Sequence, residues 1–175
     1  TLMKLLKTIA FGLAFIPATL FSSNVHSSHD PSEIRFIKNP KKQLDEAYQA
    51  SLRESSAWRH FLETNGTWYV IYNENNALPH KAFGEPIPIS GSTGENRAFN
   101  FLANELNMFE MPVNDLELLS SVRSDHFEYV HFKQTYGGLD VLFSNISVKM
   151  TLDGRVVSFT SDVHKGLNVV TTTNL

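Results

Sequence analysis

The sequence predicts an α+β domain: an antiparallel β-sheet packed by one main α-helix, preceded by an N-terminal signal peptide and a short helical leader. Two sets of residues predict it. Between 127 and 157, alternating apolar and polar positions are punctuated by Gly137-Gly138 and Asp153-Gly154. Such pairs reverse a chain tightly, because glycine takes positive φ at no steric cost. Upstream, Phe99, Leu102, Leu106 and Phe109 recur at three and four residues, the spacing of one apolar helix face.

Taken from the start, Lys4 and Lys7 precede an apolar run from Thr8 to Phe21 that is short for a bilayer and broken by Pro17. This predicts a signal peptide over residues 1–27, with Val25-x-Ser27 as a small-residue cleavage site and Ser22 and Ser23 as alternatives. Thr1 and Leu2 stand before the first methionine, and the chain reads as a fragment of a longer frame. Residues 28–54 form a leader. It is polar as far as Pro40, then amphipathic from Lys41 to Glu54 with a stripe of Leu44, Ala47, Tyr48 and Leu52.

The domain proper is expected over residues 55–165. A short helix holds Trp58, Phe61 and Leu62 and stops at Asn65-Gly66. Thr67–Tyr72 has strand composition and closes on the turn-forming Asn73-Glu-Asn-Asn76. Three prolines and Gly84 between Pro79 and Pro88 predict an irregular connection. Ser92-x-x-Glu95 reads as a capping box for the main helix, and Pro112 as its end. Leu116–Val122 is a strand, followed by the hairpins. There Val130 and Phe132 share one face, as do Leu142, Ile146 and Val148 further on. Residues 166–175 read as linker or the truncated start of a next segment.

Composition excludes several functions. Residues 28–175 carry 13 basic and 18 acidic side chains, a net charge of −5 without a basic cluster, so nucleic acid is not an expected partner. Nor is stable membrane association expected after signal cleavage. With no cysteine there is neither a disulfide nor a thiolate metal site. The seven histidines are dispersed; His126 and His131 differ by five and point to opposite faces of a regular strand. His-Glu-x-x-His is absent, no serine, histidine and acid share a motif, and Gly91-Ser-Thr-Gly94 lacks the lysine of a phosphate-binding loop. Glu128, Asp125 and Asp140 are carboxylates of turns and solvent faces, and His80 is best read as fixing a loop carbonyl. Gln134 shares the face of Val130 and Phe132, which predicts a buried amide acting as a structural lock. No catalytic, cofactor-binding or metal residue is assigned.

The run Val130-His-Phe-Lys-Gln134-Thr-Tyr136-Gly-Gly138-Leu-Asp-Val141 contains Gln-x-Tyr-x-Gly-x-x-Val and is followed by a strand and Asp153-Gly154-Arg-Val-Val. It resembles the propeptide motif of the thermolysin and fungalysin metallopeptidases. Trp58, Trp68 and the Pro79-His-Lys-Ala-Phe83-Gly84 wording resemble the same family upstream, so the likeness spans 55–162. Its motif positions are thus Trp58, Trp68, Phe83, Gly84, Gln134, Tyr136, Gly138, Val141 and Gly154, with structural roles.

What the resemblance implies is an exported prodomain that aids folding of a zinc metallopeptidase catalytic domain and inhibits it in cis. Zinc, with calcium as a second candidate, would belong to that missing domain and not to this chain. Two other readings share the motif: a non-catalytic exported binding or adhesion module, and a standalone protease inhibitor.

Overall fold

The computed structural model describes residues 43–168. The signal peptide expected over 1–27, residues 28–42 of the leader and residues 169–175 of the expected linker lie outside the described residues.

Helix α1, Glu46–Arg53, begins where Asp45 accepts from the N–H groups of Ala47 and Tyr48 at 3.0 and 3.1 Å. Its expected apolar stripe is not what it buries. Leu44 and Tyr48 are exposed and Leu52 only partly covered, whereas Gln49 is 1% exposed. The reason is the strand beneath: Gln49 Nε2 donates to Tyr72 O and Gln49 Oε1 accepts from Tyr72 N–H, both at 2.9 Å. A leucine cannot satisfy those backbone groups.

Helix α2, Ser56–Asn65, is capped by Ser55, buries Trp58 and Phe61, and ends as expected at Gly66, whose φ is +79°. Strands β1 (Trp68–Asn73) and β2 (Leu78–Pro88) then form a hairpin. The irregular connection expected over Pro79–Pro88 is therefore a strand. Its prolines sit where the ladder asks for no N–H: Pro79 beside the register shift at Ile71/Tyr72, Pro86 inside the shift between Phe83 and Ile87, and Pro88 at the strand's end.

The main helix differs from its sequence pattern. It starts one residue later, with Thr93 rather than Ser92 accepting from the Asn96 N–H at 3.2 Å. After the α-helical turns of α3 (Gly94–Asn100) the chain widens into a π turn, Phe101–Glu105, and tightens into a 3-10 turn, Asn107–Phe109. The extra π residue rotates the buried set to Ala98, Phe101, Leu102, Leu106 and Phe109 and leaves Phe99 facing outward. Glu110, left-handed at φ +53°, stops it two residues before Pro112.

Strands β3 (Leu116–Arg123), β4 (Phe127–Tyr136), β5 (Leu139–Asp140), β6 (Asn145–Thr151) and β7 (Arg155–Asp162) complete an entirely antiparallel sheet of order β1-β2-β7-β6-β4-β3, with β5 paired to the end of β4. The chain leaves β2 on one side and re-enters at the far edge, so α3 must cross the sheet. The last strand, β7, closes the gap between the hairpins. Leu142 does not join Ile146 and Val148 on the core face. It is 76% exposed, because residues after Asp140 turn (Ser144 N–H to Val141 O, 3.3 Å) and break the alternation before β6 begins.

Among the described residues, only one face of the sheet is covered. The covered face is aromatic: Trp58 stacks on Phe61 at 5.1 Å, Phe61 meets Trp68 edge-on at 5.5 Å, and Phe101 and Phe159 lie 5.5 Å apart beside it. Trp68 lies over Gly84, where an added Cβ would stand 2.4 Å from both the indole Cγ and Thr67 O. The indole N–H meanwhile donates to Glu85 O at 2.9 Å.

Two glycines should therefore fail for different reasons. Gly138, at φ +80° with open space around it, should tolerate valine at a cost of about 1 kcal/mol or somewhat more, from backbone strain alone. Gly84→Ala should cost about 2–3 kcal/mol through displacement of Trp68. Denaturant midpoints of the two variants check this, and equal losses would contradict it.

Tyr72 gives a second test. Its ring is 2% exposed and its hydroxyl is buried without an acceptor in bonding geometry. Burial pushes the phenol up to about 12, the nearby Ser55 and Arg53 only partly offsetting it. The unfolded chain ionises near 10, so the fold loses stability as pH rises from about 10 through 12. Tyr72→Phe should be neutral or stabilising by up to about 1 kcal/mol at pH 7 and should flatten that alkaline loss in pH-dependent unfolding.

Candidate functional site, an open sheet face and a buried glutamine clasp

The motif residues separate into three groups in space. Gln134 ends the buried row of β4, wholly inaccessible to solvent. Its Nε2 donates to His164 O at 2.8 Å, its Oε1 accepts from His164 N–H at 2.9 Å, and its own backbone pairs with Ser144 Oγ and the Val141 N–H. Gln134 thus holds the chain just after β7 through its amide and the turn before β6 through its backbone. Val141, half-buried, enters through that backbone bond. Tyr136 and Gly138 shape the β4–β5 reversal, where Gly137 and Gly138 have φ of +58° and +80°.

Gly154, at φ +85°, turns β6 into β7, and the Arg97 side chain of α3 lies where its Cβ would be, within 2.7 Å of the nearest atom. In the same turn the Thr151 hydroxyl donates to Asp153 and, with Arg155 at 2.9 Å, holds that carboxyl below its ordinary range. Trp58, Trp68 and Gly84 belong to the aromatic layer. Phe83 does not: it is half exposed on the opposite face, stacked on Tyr69 at 5.4 Å.

That opposite face is the larger candidate site. Cross-strand register aligns Tyr69, Phe83, Ser158, Lys149, Tyr129 and Val122 in one row across six strands. A parallel row carries Ile71, Lys81, Thr160, Ser147, His131 and Ser120. Lys149 Nζ stands 3.8 Å over the Phe127 ring. Aromatic rings thus stand among lysine, histidine and hydroxyl side chains on this face.

A pocket of about 460 Å³ opens at one end of this face, bordered by Leu44, Ile71, Glu74, His80, Lys81 and Asp162. His80 Nδ1 lies 2.8 Å from Asp162 Oδ1 and 3.2 Å from Ser161 O, so two acceptors place the ring proton on that nitrogen. The carbonyl contact expected of His80 is present, with a carboxylate added. Among the described residues no three His, Cys, Asp or Glu side chains converge on a point. At the β4–β5 end, Asp140 at 2.6 Å and Glu117 at 3.3 Å surround Lys133 and raise its pKa, Asp140 contributing most.

Sequence patterns missed Gln49 and Asn76, both amides that hold backbone. Asn76 Nδ2 donates to Val163 O at 2.8 Å from a separation of 87 residues, and no periodicity marks such a partner. Gln49 gave no such signal either, since three of its four neighbours one turn away, Asp45, Glu46 and Arg53, are charged. No described helix is long and apolar enough to cross a membrane.

No curated protein matches this sequence. Among solved structures the chain is similar to the Bacillus megaterium YpeB C-terminal domain, at 15% identity and a TM-score of 0.43, over 74% of this chain and 70% of that one. Residues 114–163, from the turn before β3 to the residue after β7, match a family model and carry its Fungalysin/Thermolysin Propeptide Motif.

Proposed function

We propose that this chain is the N-terminal prodomain of a secreted zinc metallopeptidase, exported by the signal peptide of residues 1–27. In this reading it serves in cis as folding aid and inhibitor of a catalytic domain encoded beyond it. The observation that carries the reading is the propeptide-motif match over the five strands β3 to β7.

Both roles are one piece of thermodynamics. A domain that binds the folded catalytic domain and not its unfolded chain stabilises it by mass action, and a covalent link keeps the effective concentration in the millimolar range. Inhibition ends when the link is cut and the fragment diffuses away. The open face is the docking surface in this reading, with the Tyr69–Phe83 stack as its apolar anchor. Zinc, with calcium as a second candidate, belongs to the catalytic domain. In this chain His80 and Asp162 are spent on each other, and the described residues offer no third ligand near them.

The reading frame of the gene should continue past the codon for Leu175 into a His-Glu-x-x-His segment; an immediate stop or a run of binding repeats would overturn the assignment. On the protein, Phe83→Asp should leave the unfolding midpoint nearly unchanged and weaken inhibition of the matching catalytic domain at least about tenfold. Undiminished inhibition would move the docking surface elsewhere.

A further inference from the structure

The segment that leaves β7 is held by side chains on both of its sides. Val163 is 1% exposed; its carbonyl accepts from Asn76 Nδ2 at 2.8 Å, and both backbone groups of His164 pair with the Gln134 amide at 2.9 and 2.8 Å. Asn76 lies in the β1–β2 turn and Gln134 in β4, so partners far apart in sequence close on two adjacent residues. Beyond them the restraint falls away. Lys165 keeps a single loose ion pair, 3.8 Å from Glu110, and Gly166 takes φ +61° with nothing within 4 Å of where a Cβ would be.

Proteases bind their substrates as extended strands through main-chain hydrogen bonds, so a peptide whose N–H and C=O are already paired must open first. We propose that Gln134 and Asn76 form a clasp that decides where this domain can be cut from the chain that follows it. The bonds from Asp162 to Lys165 are shielded, and the first cleavable bond is Lys165–Gly166 or one beyond it. Cleavage itself is ordinary hydrolysis: water oxygen adds to the carbonyl carbon, the C–N bond breaks, and the nitrogen leaves as an amine with a proton from water. The inference rests on the fold and the hydrogen bonds, not on the metallopeptidase reading, and stands if the downstream chain proves to be something else.

The test is limited digestion of the full chain with a broad-specificity serine protease, with the C-terminal cut sites read by mass spectrometry. In the wild type the early cuts should fall at or after Lys165–Gly166. In Gln134→Leu, cuts between Asp162 and Lys165 should appear at least about tenfold faster, while cuts inside β6 and β7 stay rare. Gln134→Glu, which keeps the acceptor for the His164 N–H and loses the donor to His164 O, should fall between. Wild-type cuts that spread evenly over 162–168, or an unchanged pattern in Gln134→Leu, would overturn the clasp. Should Gln134→Leu fail to fold, hydrogen exchange of the wild type decides. The His164 amide should be protected like the amides of β7, and exchange at the rate of an open chain would refute the proposal.

Discussion

A backbone that runs along the edge of a sheet or leaves it must still find partners for its N–H and C=O groups, and here two buried glutamines provide them. Gln49 pairs with both backbone groups of Tyr72, and Gln134 with both backbone groups of His164. A primary amide has one donor side and one acceptor side at the spacing of a peptide unit, so each glutamine acts as one residue of a missing strand. Leaving such groups buried and unpaired costs about 1–3 kcal/mol apiece. The first glutamine attaches α1 to β1; the second closes the far end of β4 over the chain's exit from β7.

Between these polar closures the fold is held by a one-sided aromatic layer. Trp68 makes that layer continuous, touching Phe61 of α2, Phe101 of the π turn and Phe159 of β7. It lies flat only because Gly84 has no side chain. The π turn serves the same layer, since it brings Phe101 and Leu102 inward together, both fully buried, where a continuous α-helix would carry Phe99 in the apolar stripe. Among the described residues, the aromatic and apolar side chains of the other face, Tyr69, Phe83 and Val122, are half or more exposed.

Much of this was legible in the sequence because turns and caps are local chemistry. Gly137-Gly138, Asp153-Gly154 and Asn65-Gly66 each mark a reversal or a helix end, and the glycines take the positive φ those positions require. What escaped was non-local. Pro79–Pro88 looks like a loop until β7 is known to lie beside it, because a proline-bearing segment becomes a strand only when two neighbours supply the remaining bonds. The Phe99 stripe fails because a π turn is set by packing and leaves no mark in helical periodicity. Leu142 fails because the break after Asp140 shifts the alternation. Gln134 could be read as buried from its position alone; its partner, thirty residues on at His164, could not.

The order of strands ties the surface to completion of the fold. Tyr69 and Phe83 belong to the N-terminal hairpin, whereas Lys149, Tyr129 and Val122 belong to β6, β4 and β3. The two groups become one row only through Ser158, because β7 enters between β2 and β6 and pairs with both. Without β7 they would be two separate patches. The residues that follow β7 are in turn the ones gripped by Gln134 and Asn76. The same strand therefore joins the two halves of the exposed row and carries the chain exit to the grip of Gln134 and Asn76.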